Sequence, residues 1–254
     1  MLDKSLIICY STTNYSKITD IFLNSLRELG IPNIKINHKL DNPEEELIKK
    51  EGFLSELWYY SVFNKVQHLV NTLTENKTSN YKYFIMSDCD IQFIKKNVDE
   101  WSNLEIYLEN DNRDVYFMQE YEYEDFNTGF YVIKNNQNIN DIIEFFNEVL
   151  YKMTITKKED MNRGDQTIIN SIRNKLNYTL IPSEYIVFGN YIYNKHKSLF
   201  HHSIGCDTNE HKIIQLKFIK SLFEEKSPTN IFNEEKQSGV FNHWDAFYAY
   251  NLDK

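Results

Sequence analysis

Apolar residues fall along this chain in short runs that alternate with longer amphipathic stretches. The run SLIICYS (5–11) is followed by polar Thr12, Thr13 and Asn14, then by a helix-like pattern from Ser16 to Leu29 that stops at Gly30. That order predicts strand, loop, helix. IPNIKINHKL (31–40) sets Ile31, Ile34 and Ile36 among polar residues before a turn at Asp41-Asn42-Pro43, and predicts a second strand. Between 44 and 73 the positions Leu54, Leu57, Trp58, Phe63, Val66, Leu69 and Val70 recur at helical spacing, enough for one or two helices. The apolar run that opens YKYFIMSDCDIQFI (81–94) then reads as a strand buried on both faces and ending in two carboxylates. A short helix at 97–110, strands at 114–121 and 126–134, a helix at 139–152, a helix at 163–176 and a strand at 178–188 follow. HHSIGCDTNEHKIIQLKFIKSLF (201–223) predicts a polar turn running into a helix. The alternation predicts an α/β fold with a mostly parallel central sheet flanked by helices, its ligand site at the carboxyl ends of the strands. We expect a single domain over 1–254, with 221–254 a C-terminal extension.

Composition supports a packed core: 254 residues with 15% aromatic content, and only 7 Gly and 4 Pro, fit neither a disordered nor a fibrous chain. A formal charge of −9 without clustered Lys and Arg argues against nucleic acid as a partner. No stretch has the length of a membrane segment, and the apolar run at the N-terminus is too short for a signal peptide, so the chain reads as soluble. Cys9, Cys89 and Cys206 are an odd number without metal-type spacing. They predict reduced thiols and a cytoplasmic protein, with a trimmed lumenal form as the alternative.

One position carries chemistry on its face. The buried strand ends in Asp88 and Asp90, and residues two apart on an extended chain point to the same side. Two carboxylates presented together require a cation, and hard oxygen ligands suit Mg2+ or Mn2+. The competing reading is a solvated acidic loop.

In chain order, SDCD (87–90), NTGF (127–130), DQTIIN (165–170) and HHSIGCDTNEHK (201–212) resemble the motifs of the nucleotide-diphospho-sugar transferases, glycosyltransferases of the GT-A fold. The resemblance covers roughly residues 5 to 220 and rests on these short motifs. It implies a GT-A, Rossmann-like domain that transfers a hexosyl or pentosyl group from a UDP-sugar to a hydroxyl of a protein, glycan or small molecule, with retention. It implies Mn2+ or Mg2+ held by Asp88, Asp90 and a C-terminal histidine, for which His202, three residues before Gly205, fits the motif better than His201. Asp165 and Gln166 take the place of residues beside the transferred sugar, and Asn127, Thr128 and Gly129 line the donor. Tyr10, Ser11, Thr12 and Asn14 fall where the family seats base and ribose, and a Tyr10 face could stack on uracil. Lys65 and Lys212 resemble basic residues that reach the donor and its phosphate. For Asp165 the competing role is a helix N-terminal carboxylate, for Lys65 a snorkelling helix lysine, and for Lys212 a solvated one.

Two other functions share these features. Phosphohydrolases of the haloacid dehalogenase type also place D-x-D after an apolar strand, but near the chain start and followed by Thr or Val where this chain has Gln92. A sugar-nucleotide binder without catalysis could keep every residue above.

Overall fold

The computed structural model describes residues 1–50, 52–120, 125–156, 164–189, 191–206 and 208–224. The expected C-terminal extension thus lies outside the described residues from 225 on.

The first apolar run is strand β1 (Ser5–Thr12), buried along its whole length. Helix α1 (Ser16–Glu28) turns Ile18, Phe22 and Leu26 inward, a four-residue spacing that puts all three on one face. It leads to β2 (Lys35–Asp41), which pairs with β1 in parallel. A short helix α2 (Glu45–Ile48) precedes α3 (Glu56–Asn76), whose start is capped by Ser55 Oγ accepting from Trp58 N at 3.1 Å. Val66, Leu69 and Leu73 of α3 are fully buried, each worth roughly 1.5–3 kcal/mol of burial. Next come β3 (Tyr83–Ser87), β4 (Ile91–Phe93), α4 (Glu100–Asn110), β5 (Val115–Gln119), β6 (Phe126–Lys134) and α5 (Ile139–Ile155). The described chain ends with α6 (Asp165–Ile172), β7 (Tyr178–Leu180), β8 (Ile186–Phe188), β9 (Tyr191–Ile192), β10 (Phe200–His202) and α7 (Asn209–Phe223).

Six strands form the central sheet in the order β2-β1-β3-β6-β5-β7, with β6 antiparallel to both neighbours. Both faces are covered. Ile7 and Cys9 of β1 and Ile85 of β3 join α1 and α4 in one core, while Leu6, Ile8, Phe84 and Met86 join α3, α5 and α6 in the other. Alternate residues therefore face different but equally apolar layers, which is why these strands read as unbroken apolar runs. A second sheet, β4-β10-β8-β9, shares the first core through Ile91, Phe93, Ile186 and Phe200. On its far side α7 packs Phe218, Ile219 and Phe223 near Ile94 and Val187.

The second sheet explains three departures from the pattern-based reading. The segment 178–188 is two strands in two sheets, because Pro182 and a 3-10 turn (Ser183–Tyr185) redirect the chain between β7 and β8. His201 and His202 lie in β10, not in a polar turn, and both are buried. The D-x-D segment is not extended: the chain turns there, Ile91 N donating to Asp88 O at 3.4 Å, as it leaves the central sheet for β4.

Candidate functional site

The turn after β3 delivers Asp88 and Asp90 to the carboxyl ends of β1, β2 and β3. It is fastened on two sides. Asp88 N donates to Gly129 O on β6 at 2.7 Å, and Ser203 N, just past β10, donates to Asp90 O at 2.9 Å. These links bring His202 to the carboxylates, with its Nε2 3.4 Å from Asp90 Oδ1. One ligand atom from each of Asp88, Asp90 and His202 lies within 4.8 Å of the other two. Close approach at this point depends on Gly129: a Cβ there would sit 2.4 Å from His202 Cε1 and 2.9 Å from its Nδ1. Gly205, at φ +68°, makes the left-handed turn that carries the chain from β10 toward α7.

His201, one residue earlier, points elsewhere. Its Nε2 lies 2.8 Å from Gly189 O, to which it donates, and burial pushes its pKa down to about 3.

Two lysines hold the carboxylates. Lys65, buried on α3, places Nζ 3.1 Å from Asp88 Oδ1 and 2.6 Å from Asp165 Oδ2. It is no snorkelling side chain: burial works to lower its pKa, but Asp165 and Asp88 outweigh that and raise it. Lys212 of α7 ion-pairs with Asp90 Oδ2 and donates to Tyr15 OH at 3.0 Å, while Tyr15 OH donates to the same Oδ2 at 3.0 Å. Burial works to raise the Asp90 carboxyl, yet Lys212 and His202 hold it below the usual carboxylate range. Asp88 goes the other way, raised by burial against the opposing charge of Lys65. Its side chain remains 29% exposed whereas that of Asp90 is 8%, so Asp88 faces the opening and Asp90 its floor.

Whether a divalent cation fits can be judged from unsatisfied atoms. Asp90 Oδ1, which His202 Nε2 faces at 3.4 Å, is buried without a hydrogen-bond partner, a costly arrangement unless something else binds there. Two carboxylates and an imidazole are a donor set suited to Mn2+ or Mg2+.

Asp165 is the first residue of α6 and is 3% exposed, accepting from Thr128 Oγ1 at 3.2 Å besides pairing with Lys65. Gln166 receives Thr128 N at 3.4 Å and donates to Glu120, which also accepts from Asn127 Nδ2 at 3.4 Å. Gly129 N donates to Asn127 Oδ1 at 2.7 Å. Tyr10, Ser11, Thr12 and Asn14 line the end of β1, held respectively by Asp41 (2.9 Å), His38 (2.8 Å) and, for the last two, each other (2.7 Å). The ring of Tyr10 is buried with the Lys39 ammonium 5.9 Å from its centroid, so stacking on a base requires Lys39 to move.

Sequence reasoning missed Tyr15, Asp41, Tyr60 and Glu120. Asp41, the carboxylate at the end of β2, accepts from Tyr60 at 2.8 Å as well as from Tyr10. Its signal was the acidic residue ending a strand beside β1, read only as part of a turn. Tyr15 gave none, because its partners lie 75 and 197 residues away.

No family model matches the chain, and no curated protein matches it in sequence. Solved structures do match in fold. A glycosyltransferase involved in the glycosylation of the major capsid of PBCV-1 superposes with a TM-score of 0.62 at 13% identity, over 84% of this chain and 98% of that one. The glycosyltransferase GlyE of Streptococcus pneumoniae TIGR4 gives 0.53 at 14% identity, over 92% of this chain and 64% of its own. The bifunctional glycosyltransferase WbbM gives 0.50 at 12% identity, over 90% of this chain and 51% of its own. The chain thus spans about two thirds of GlyE and half of WbbM, and its fold is the GT-A fold of these glycosyltransferases.

Proposed function

We propose that the protein is a metal-dependent glycosyltransferase, which takes a sugar from a UDP-sugar and passes it to a hydroxyl of a protein, glycan or small molecule, with retention. The observation that carries this reading is the convergence of Asp88, Asp90 and His202 at the carboxyl ends of a GT-A sheet, with Asp90 Oδ1 buried and unpartnered. Bound by these three residues, Mn2+ or Mg2+ would neutralise the diphosphate as it leaves.

The other residues act around that centre. Lys212 ion-pairs with Asp90 and would meet a phosphate oxygen of the donor. Lys65 balances Asp88 and Asp165 across the floor of the site. Thr128, Asn127 and Gln166 form a polar rim suited to sugar hydroxyls, and Asp165 supplies negative charge where positive charge develops at the anomeric carbon. The residues at the end of β1 receive the nucleoside. In a retaining reaction the departing phosphate takes the acceptor proton, so no separate base is needed.

A phosphohydrolase accounts less well for the arrangement, since it gives no part to His202 beside Asp90. The test is incubation with UDP-glucose, UDP-galactose, UDP-N-acetylglucosamine and UDP-xylose in Mn2+, with and without candidate acceptors. Release of UDP is expected. Release of inorganic phosphate would indicate the hydrolase, and binding without release would indicate an inactive binder.

A further inference from the structure

A second cluster of metal-ligating side chains lies directly behind the D-x-D turn. We propose that Cys9, His38 and Cys89 form a separate site for a borderline-soft divalent cation of the Zn2+ class. A ligand atom from each lies within 4.8 Å of the other two. They come from three elements: Cys9 of β1 and His38 of β2 are register partners in the parallel pair, and Cys89 stands between Asp88 and Asp90 in the turn.

Three observations favour a metal over a plain thiol-lined core. The first is donor chemistry, because two sulfurs with an imidazole select Zn2+, whereas the Asp88, Asp90 and His202 set selects harder ions. Sites one residue apart in the chain would thus sort cations by ligand softness. The second is the outer support: Ser11 Oγ lies 2.8 Å from His38 Nε2 and fixes the ring, as the outer partners of ligating histidines do. The third is burial and charge. Cys9 is 0% and Cys89 3% exposed while His38 is half-buried, so the cluster has an apolar floor and one side toward solvent. Exchanging two thiol protons for one divalent cation leaves the local charge unchanged, which avoids the cost of an unbalanced buried ion. Three protein ligands leave one tetrahedral position for water. A cation here would tie β1, β2 and the turn together and so fix the backbone that presents Asp88 and Asp90.

The test uses the full, reduced chain and Co2+ as the probe, because cobalt shows thiolate-to-metal charge-transfer absorption only when sulfur ligates it. The expected result is a charge-transfer band that saturates at one Co2+ per chain and is bleached by Zn2+. Cys206→Ser and Asp90→Asn should keep it, Cys9→Ser should lose it, and His38→Asn should weaken cobalt affinity by more than the ~10–100-fold that loss of an outer partner costs. His38 is half-buried, so His38→Asn preserves the test if Cys9→Ser does not fold. The proposal is overturned if the reduced protein gives no band, if Cys206→Ser abolishes it, or if His38→Asn binds cobalt as the wild type does. Oxidation of Cys9 and Cys89 to a disulfide, with no cobalt taken up after reduction, also overturns it. None of these outcomes depends on sugar transfer.

Discussion

At the residue scale, the site is organised by ion pairs that share partners. Lys65 stands between Asp88 and Asp165, so the two carboxylates are coupled through one ammonium. Lys65→Met should destabilise the fold by about 3–5 kcal/mol, because Asp165 would be left buried with Thr128 as its one side-chain partner among the described residues. Urea unfolding measures this, and a cost below about 1 kcal/mol would mean that the lysine is not balancing a buried charge. Asp165→Asn asks a different question. It retains a polar residue at the start of α6, so a role confined to the helix end predicts unchanged turnover. A role at the anomeric carbon predicts near-normal UDP binding with turnover lowered by ~10²-fold or more. The adjacent histidines divide as cleanly. His202→Ala should abolish Mn2+ binding in the presence of UDP and His201→Ala should retain it, since His201 is turned to Gly189 O. The reverse result would assign the cation to the other histidine.

At the element scale, the site exists because one turn links two sheets. The D-x-D leaves β3 in the central sheet, enters β4 in the second, and meets β10, which pairs with β4 in antiparallel register with His202 opposite Ile91. Gly129 on β6 leaves room for the imidazole. Gly129→Ala should therefore displace His202 and weaken Mn2+-dependent UDP binding at least ~10-fold, with a stability cost of about 1–3 kcal/mol from overpacking. Parallel titrations and unfolding curves check this, and unchanged binding would show that the ring has room to spare. The elements of the first half were legible in sequence because β1 and β3 are buried on both faces and α1 and α3 on one, which leaves distinct periods. The second sheet was not. Its strands are two or three residues long, too short for any period to register, and β10 pairs with β4 across more than a hundred residues. That is why the two histidines read as a turn. The grouping of Asp88, Asp90 and His202 was legible by resemblance, whereas Tyr15, Asp41 and Glu120 join the site through tertiary contacts that leave no local pattern.

At the scale of the whole molecule, a chain of formal charge −9 is proposed to bind a doubly phosphorylated anion at a cluster that itself contains three carboxylates. Lys65 and Lys212 supply two positive charges against Asp88, Asp90 and Asp165, which leaves these five side chains net negative by one. A divalent cation reverses that sign, and the account stands or falls on this reversal. No described helix is long and apolar enough to cross a membrane. The most direct measurement is calorimetric titration of UDP into wild type and Asp90→Ala, each with Mn2+ and with chelator. The account predicts that the wild type binds UDP only with Mn2+ and that Asp90→Ala binds it in neither condition. A site governed by simple repulsion predicts the opposite, because removing a carboxylate frees Lys212 for the diphosphate; equal or tighter UDP binding by Asp90→Ala would contradict the metal assignment.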